Sequence, residues 1–256
     1  MGAHQGFDWC DVQGRRSAFF EFNKTSSRKE IGMSMKRYVL AAAAMAACVI
    51  TTGTLSAGAA TPDCAQRCIS LFSKVLGTYT QPNVVEAVLD GVAKVGQPVI
   101  LKRASSSDPS QDLIPTLGRV SDFYARGMVS AKVNRHYGNL DAAQIQYAPF
   151  GVVSGLCVGL AKPASQGAGL TLQPCTAPGT TVFIIDMPNA TPDGYFPILN
   201  ASTRDFSRPF AMHYPRDQQA SEQRLQQIQV RRLQFRSKER TLPDRQLWGA
   251  HFGVLP

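Results

Sequence analysis

From about residue 97 onward the apolar positions fall in short runs of period two rather than in long stripes. Ala143-Gln-Ile-Gln-Tyr147 and Gly127-Met-Val-Ser-Ala-Lys-Val133 alternate apolar with polar or small residues, which predicts half-buried strands. Further strands are expected at 98–101, 119–124, 155–160, 170–175, 181–185, 194–199, 209–214, 225–235 and 246–252. Gly, Pro, Asn, Asp and Ser punctuate them, as in the loop Ser105–Pro109. Many short strands separated by turn residues predict an all-β closed or sandwich architecture. Segments of about 50 residues starting near 97, 154 and 206 read as three diverged copies of one unit. Residues 60–96 have a different character. Cys64-Ala-Gln-Arg-Cys68-Ile-Ser-Leu-Phe-Ser-Lys-Val-Leu76 carries apolar groups at 68/69, 71/72 and 75/76, a helical period ended by Gly77, and Asn83–Ala93 reads as a second short helix. The expected layout is thus a short helical lead-in over 60–96 and a mainly β domain over 97–256.

The N-terminal segment predicts export. Met35-Lys36-Arg37 precedes the apolar run Tyr38–Ile50 and the small residues Ala57-Gly58-Ala59, the order of charge, apolar core and cleavage site in a signal peptide over 35–59. The run is shorter than the ~20 apolar residues a membrane span needs, so no integral span is expected after cleavage. Residues 1–34 are polar and without periodicity, and read as an upstream mis-start or a disordered extension, with translation expected to begin at Met33. Cys48 after Met45-Ala46-Ala47 faintly matches a lipoprotein box, but Val49 and Ile50 stay apolar where such a protein turns polar. Secretion is the leading reading and lipid anchoring at Cys48 the alternative.

Beyond residue 59 the chain holds 20 Lys and Arg against 14 Asp and Glu, a net charge of +6. Ten of those basic residues lie between Arg204 and Arg245, against five acidic ones, so the excess is local. It fits attraction to an anionic polymer, and equally a solvated, Arg-rich surface loop, the commoner origin of a charge run. No aromatic-interleaved motif or finger spacing points to a specific nucleic acid. Four cysteines, Cys64, Cys68, Cys157 and Cys175, remain beyond the signal segment, an even number fitting two disulfides of three possible connectivities. Proximity favours Cys64–Cys68 and Cys157–Cys175. The spacing lacks paired CxxC knuckles, so neither metal nor cofactor is expected.

Gly155-Leu-Cys157, Leu172-Gln-Pro-Cys175 and Val182-Phe183-Ile184, with Gln246-Leu-Trp248 later, resemble the ricin-type β-trefoil lectin repeat. There, two strands each bring a cysteine and a Gln-x-Trp strand completes the lobe. Residues 61–256 also resemble small exported proteins of high-GC Gram-positive bacteria, in Asp122-Phe-Tyr-Ala, Gly194-Tyr-Phe-Pro and Gln246-Leu-Trp-Gly-Ala-His-Phe-Gly-Val-Leu. The resemblance implies a β-trefoil-like domain that binds extracellular carbohydrate. The departures redirect the search for a site. The lectin pattern has an acidic residue where this chain has Gly159, and Thr181-Val-Phe183 stands in for Gln-x-Trp, so the middle unit reads as structural. The third unit offers Asp205, His213, Tyr214 and Arg245 as candidate ligand contacts by sequence proximity, while Gln246, Trp248 and Phe183 read as core and strand-pairing residues.

Catalytic signatures are weak. No HExxH occurs around His136, His213 or His251, Ser154 lacks the glycine two positions earlier that a nucleophile elbow needs, and Asp108 and Asp112 read as turn residues rather than a glycosidase pair. The sequence therefore predicts a secreted, monomeric, non-enzymatic protein binding an extracellular glycan or anionic envelope polymer. A protein-interaction or inhibitor module is the alternative, and a secreted hydrolase a more distant one.

Overall fold

The computed structural model describes residues 67–80, 84–215, 226–235 and 241–252. The expectations for residues 1–34 and 35–59, Cys48 included, and for Cys64 lie outside them. Three groups of strands succeed one another. The first holds β1 (Ile69–Ser73), β2 (Val84–Val88), β3 (Val99–Arg103) and β4 (Leu113–Arg119). Two short helices, α1 (Val120–Ala125) and α2 (Ala131–Tyr137), then lead to β5 (Asp141–Tyr147), β6 (Leu156–Gly159), β7 (Ala168–Gly169), β8 (Thr171–Pro174) and β9 (Phe183–Ile185). The third group is β10 (Ile198–Asn200), β11 (Phe210–His213), β12 (Gln226–Gln227), β13 (Gln229–Arg232) and β14 (Trp248–Phe252).

Pairing makes these groups three equivalent lobes. The last strand of each lobe runs antiparallel to the first strand of the next: β4 on β5, β9 on β10, and β14 back on β1. That closes a ring and leaves no open edge between lobes. Within each lobe the middle strands form a hairpin, β2–β3, β6–β8 and β11–β13. The hairpins meet at one point. Val99 N–H donates to the Leu170 carbonyl (2.9 Å), Leu170 N–H to Ile228 (2.7 Å) and Ile228 N–H to Val99 (3.0 Å), so three fully buried apolar residues satisfy one another's backbone around a three-fold axis. Chain length repeats with the geometry: 30 positions separate Ile69 from Val99, 29 separate Asp141 from Leu170, and 30 separate Ile198 from Ile228. The fold is a β-trefoil.

Strand alternation sends residues into two apolar layers. Ile69 and Leu71, Ala143 and Ile145, Phe183 and Ile185, and Ile198 face the barrel interior with Trp248. Phe72, Ala142, Val182, Ile184 and Leu199 face outward, where Val120, Phe123, Val133 and Tyr137 of the two helices cover them. Neither helix is long enough to hold itself in water. The Asp122 carboxylate accepts the Arg119 N–H (2.8 Å) at the start of α1, Ser130 Oγ accepts the Val133 N–H (3.2 Å) at the start of α2, and burial of one face does the rest.

Several expected elements are corrected. No α-helix is formed in the described part of the lead-in: Ile69–Ser73 and Val84–Val88 are strands, the first half of lobe one, and Leu89–Gly91 is a 3-10 turn. All five residues of β1 are buried, because its outer face is also covered, and a continuous apolar run carries no period that separates helix from strand. The repeats accordingly begin at 69, 141 and 198 rather than near 97, 154 and 206. Conversely, the strands expected at 119–124 and 127–133 are replaced by α1 and the start of α2. Val129 and Val133 fit period two, but Val133 and Tyr137 fit the helical spacing that the fold uses. Leu113–Arg119, interrupted by Pro115 and Gly118, is a strand that the pattern did not reveal.

Candidate functional site

The middle lobe is built for packing. The Cys157–Cys175 disulfide ties β6 to the end of β8 with the Cα atoms 4.9 Å apart. Cys68 is disulfide-bonded as well. At Gly159, where the lectin pattern has an acid, a Cβ would lie 2.8 Å from Thr181 Cγ2 and 2.9 Å from the Thr180 carbonyl oxygen. No side chain fits there. Thr181 Oγ1 accepts from Gln144 Nε2 (2.9 Å) and donates to the Ala177 carbonyl (2.9 Å), and Phe183 is fully buried in the barrel.

Gln246 and Trp248 are likewise turned inward. Gln246 Oε1 accepts the Gln234 N–H (3.0 Å) while Nε2 donates to the Arg232 carbonyl (3.0 Å), and Trp248 Nε1 donates to the Met212 carbonyl (3.1 Å). The same amide clamp occurs in lobe one, which sequence reasoning missed. Gln111 Oε1 accepts the Ser105 N–H (3.0 Å) and Nε2 donates to the Arg103 carbonyl (2.6 Å). Each glutamine bridges residues n and n+2 just past the third strand of its lobe. The clue was Gln111-Asp-Leu113, a Gln-x-Leu in the place of Gln-x-Trp.

The four ligand candidates of the third unit do not converge. Asp205 precedes β11 and Tyr214 follows it, at opposite ends of a four-residue strand. Asp205 Oδ1 accepts the Ser207 hydroxyl (2.6 Å) and the Ser207 and Arg208 N–H groups, and Oδ2 pairs with Arg232 Nη1 (2.5 Å). The Ser207 hydroxyl first, then the Arg208 N–H, the Arg232 guanidinium and the Ser207 N–H, outweigh desolvation and hold its pKa down at about 2. Its carboxylate is engaged by its own loop through Oδ1 and by Arg232 of β13 through Oδ2. His213 is buried in β11 opposite Gln229. Tyr214 and Arg245 are brought together, by the Tyr214 N–H on the Arg245 carbonyl (2.9 Å).

Two open clefts flank the segment that carries Arg245. One, of about 470 Å³, is lined by Lys74, Pro188–Pro192, Thr241, Leu242, Asp244 and Leu247. Lys74 Nζ lies 3.2 Å from Asp193 Oδ2 and 3.7 Å from Asp244 Oδ1, and 5.3 Å above the Tyr195 ring. Desolvation would raise the Asp193 carboxyl, but the Thr191 hydroxyl and Lys74 overcome it and lower its pKa. Tyr79 and Tyr195 brace the wall through hydroxyl bonds to the Gly194 (2.6 Å) and Gly77 (3.0 Å) carbonyls. Solvent-facing carboxylates, an ammonium and threonine hydroxyls suit a polyhydroxylated ligand. The other cleft, about 530 Å³, is lined by Arg208, Leu233, Gln234, Phe235 and Pro243. Arg208 and the half-exposed Phe235 both line it, a combination suited to an acidic group next to an apolar face.

Elsewhere the weak catalytic candidates are engaged in structure. Asp108 accepts from Ser110 and pairs with Lys102 (2.5 Å), Asp112 accepts the Phe150 N–H (2.8 Å), and Ser154 Oγ donates to the Tyr147 carbonyl (2.6 Å). Among the described residues no group of three or more His, Cys, Asp or Glu is placed to hold a metal ion, and no helix is long and apolar enough to cross a membrane.

No known family model matches the chain, and no curated protein matches it. Among solved structures it is similar to the designed 3-fold symmetric protein ThreeFoil, at 13% identity over 71% of this chain and 96% of that one, with a TM-score of 0.46. A mosquitocidal holotoxin is similar at 11% identity and a TM-score of 0.44, over 72% of this chain and 17% of that one. The mdaA-1 domain is similar at 13% identity and 0.42, over 73% and 89%.

Proposed function

We propose that this chain is a secreted, non-catalytic binding module that takes an extracellular carbohydrate polymer bearing acidic groups, at clefts around the 241–247 segment of the third lobe. The observation that carries the reading is the pair of open clefts on either side of the Leu242–Asp244 segment. One presents hydroxyl-binding carboxylates and threonines, the other a guanidinium and a ring. A chain of alternating sugar and acid groups needs both kinds of contact in succession. The basic excess between residues 204 and 245 adds long-range attraction. Shallow clefts of this kind hold a single unit at about micromolar to millimolar strength and gain from a repeating ligand.

The test is retention of the folded protein on a glycan array and on purified bacterial cell wall. Retention on acidic polysaccharides or wall, weakened by salt and by Arg208→Ala or Phe235→Ala, is the expected result. No retention on either support rejects the proposal. Co-purification of one stoichiometric protein instead would replace it with the interaction-module reading.

A further inference from the structure

The loop between β10 and β11 is tied into one shape. Asp205 Oδ1 accepts the Ser207 hydroxyl and the Ser207 and Arg208 N–H groups, and Oδ2 is held by Arg232 of β13. Thr203 Oγ1 donates to the Asp205 carbonyl (3.3 Å) and accepts the Phe210 N–H (3.4 Å), and the Arg208 carbonyl accepts from Arg232 Nη1 (3.3 Å). An aspartate that organises its own turn fixes the residue that follows it. That residue is Phe206. Its half-buried ring packs on the outer apolar layer, 5.9 Å from the ring of Tyr137 and 4.9 Å from that of His136, to which it is tilted by 33°. Tyr137 is buried, but His136, in the last turn of α2, is exposed. Helix and loop thus present a stacked pair of rings at the surface, the imidazole being the more exposed.

Cations flank the rings. Arg204 and Arg208 stand two positions to either side of Phe206, Arg135 precedes His136, and all three are exposed. Their guanidiniums and the His136 ring nitrogens have no hydrogen-bond or ion-pair partner among the described residues. The acids close by are Asp186 and Asp205. Burial first, with the charges of these two adding to it, pushes the Tyr137 hydroxyl up to about 12. Asp205 is matched by Arg232, while Asp186 is buried and accepts from Asn189 Nδ2 (2.8 Å). Three exposed, unpaired guanidiniums therefore stand against one buried carboxyl, and the surface around the rings is cationic by its own residues. A guanidinium offers a planar fork of donors to an oxyanion, and a ring offers an apolar face.

From this arrangement we infer that the Phe206–His136 ring pair, with Arg204 and Arg208, is a further subsite for an acidic saccharide chain, continuous through Arg208 with the cleft that holds Phe235. The inference rests on the binding-module reading above and extends it to residues outside both clefts. Arg208 lines that cleft and also borders Phe206 in the loop. An acid group seated on Arg208 thus has a ring to either side of it along the chain, Phe235 and Phe206. A saccharide chain suits such a track because its apolar ring faces alternate with acids and hydroxyls. Single-stranded nucleic acid also combines flat rings with oxyanions, but it carries a charge at every unit. Asp193 and Asp244, beside Lys74 across the Leu242–Asp244 segment, oppose that uniform charge.

The test titrates the folded full chain with carboxylate-bearing polygalacturonate and phosphate-bearing phosphomannan, each as long chains and as short oligomers. Binding is read by calorimetry and by the NMR signals of the His136 ring, identified by their loss in His136→Ala. The expected result is tighter binding of long chains than of short oligomers, of one polymer or both, with His136 signals that move only for the long ones. Arg204→Ala and His136→Ala, at exposed side chains outside the clefts, are each expected to weaken long-chain binding about tenfold. The short oligomers, which the cleft alone holds, are expected to bind both variants as they bind the parent. Parent-like long-chain binding in both variants, or His136 signals that do not move, overturns the subsite and leaves the cleft reading standing. Binding of neither polymer by the parent overturns the subsite together with that reading. Tighter binding of a single-stranded oligonucleotide of equal charge, lost in the same variants, overturns it in favour of nucleic acid.

Discussion

Glu86 is a carboxylic acid in a place made for a hydrocarbon. β2 sets it opposite Leu101, and Leu101 lies opposite Gln226 on its other side. The side chain is fully buried and neither oxygen has a hydrogen-bond partner. Burial pushes its pKa up from the usual 4.5 to about 8. The folded chain therefore keeps a proton that the unfolded chain has lost. The corresponding stability is fully present below pH 4.5, declines as pH rises through the window, and levels off above about 8. A difference of about 3.5 pH units at ~1.4 kcal/mol per unit predicts a loss of roughly 5 kcal/mol, as large as the whole stability of a marginal domain. Glu86→Gln keeps the shape and removes the titration. It should change little at about pH 5 and exceed the parent in stability at about pH 8.5. Urea unfolding of both proteins across that window, at constant salt, reads the effect as a difference in midpoints. Asp108, Asp193 and Asp205, whose pKa values are lowered, act at more acidic pH, and the phenols of Tyr79, Tyr137 and Tyr147, raised by burial to about 12, act at more alkaline pH. Asp186, raised by desolvation, works in the same sense as Glu86 but is common to both proteins. A parent whose midpoint is flat across the window, or a glutamine variant with the parent's slope, refutes the reasoning.

Three further outcomes are expected. Replacing Cys157 and Cys175 together by serine opens a bridge between residues 18 apart and should cost about 3 kcal/mol, read from urea unfolding with and without reductant. Gln246→Ala and Gln111→Ala each strand a backbone N–H and carbonyl and should each cost about 1–3 kcal/mol; a large cost for one and none for the other would break their equivalence. Gly159→Asp, which restores the lectin pattern, should lower the melting temperature and add no retention on the glycan array, because Thr181 and the Thr180 carbonyl fill the space.

Much of the β half was legible because its strands bury one face at a time. Ala143–Tyr147 alternates visibly, and the two cysteines mark the hairpin they join. β1 was not legible because it buries both faces, a consequence of a second apolar layer formed partly by helices some 50 residues later. α1 and α2 were misread because their helical signals are single atoms, the Asp122 and Ser130 caps, set against valines that also fit a strand. The candidate site shows a different limit. Asp205 and Tyr214 are nine positions apart in sequence, yet the strand between them points them to opposite ends of the lobe. Lys74 and Asp244 are 170 positions apart and meet because β1 closes on β14.

That closure also explains where each lobe was free to diverge. The three-fold hub asks only for an apolar residue with a backbone N–H and carbonyl, and valine, leucine and isoleucine all serve. The three hub residues therefore share no sequence motif, although their backbone hydrogen bonds repeat in all three lobes. The turn after each third strand asks for more, a group able to bridge a donor and an acceptor. Lobes one and three meet it with glutamine, while lobe two uses Thr181 beside the disulfide. The Gln-x-Trp signature is thus a structural demand of the lobe, satisfied here by buried side chains. Its presence in the third lobe therefore says nothing about a ligand, and its absence from the second removes nothing. Recognition has to come from residues that neither the hub nor the clamp constrains. On the proposed function those are Lys74, Asp193, Arg208, Phe235 and Asp244, which line or border the two clefts.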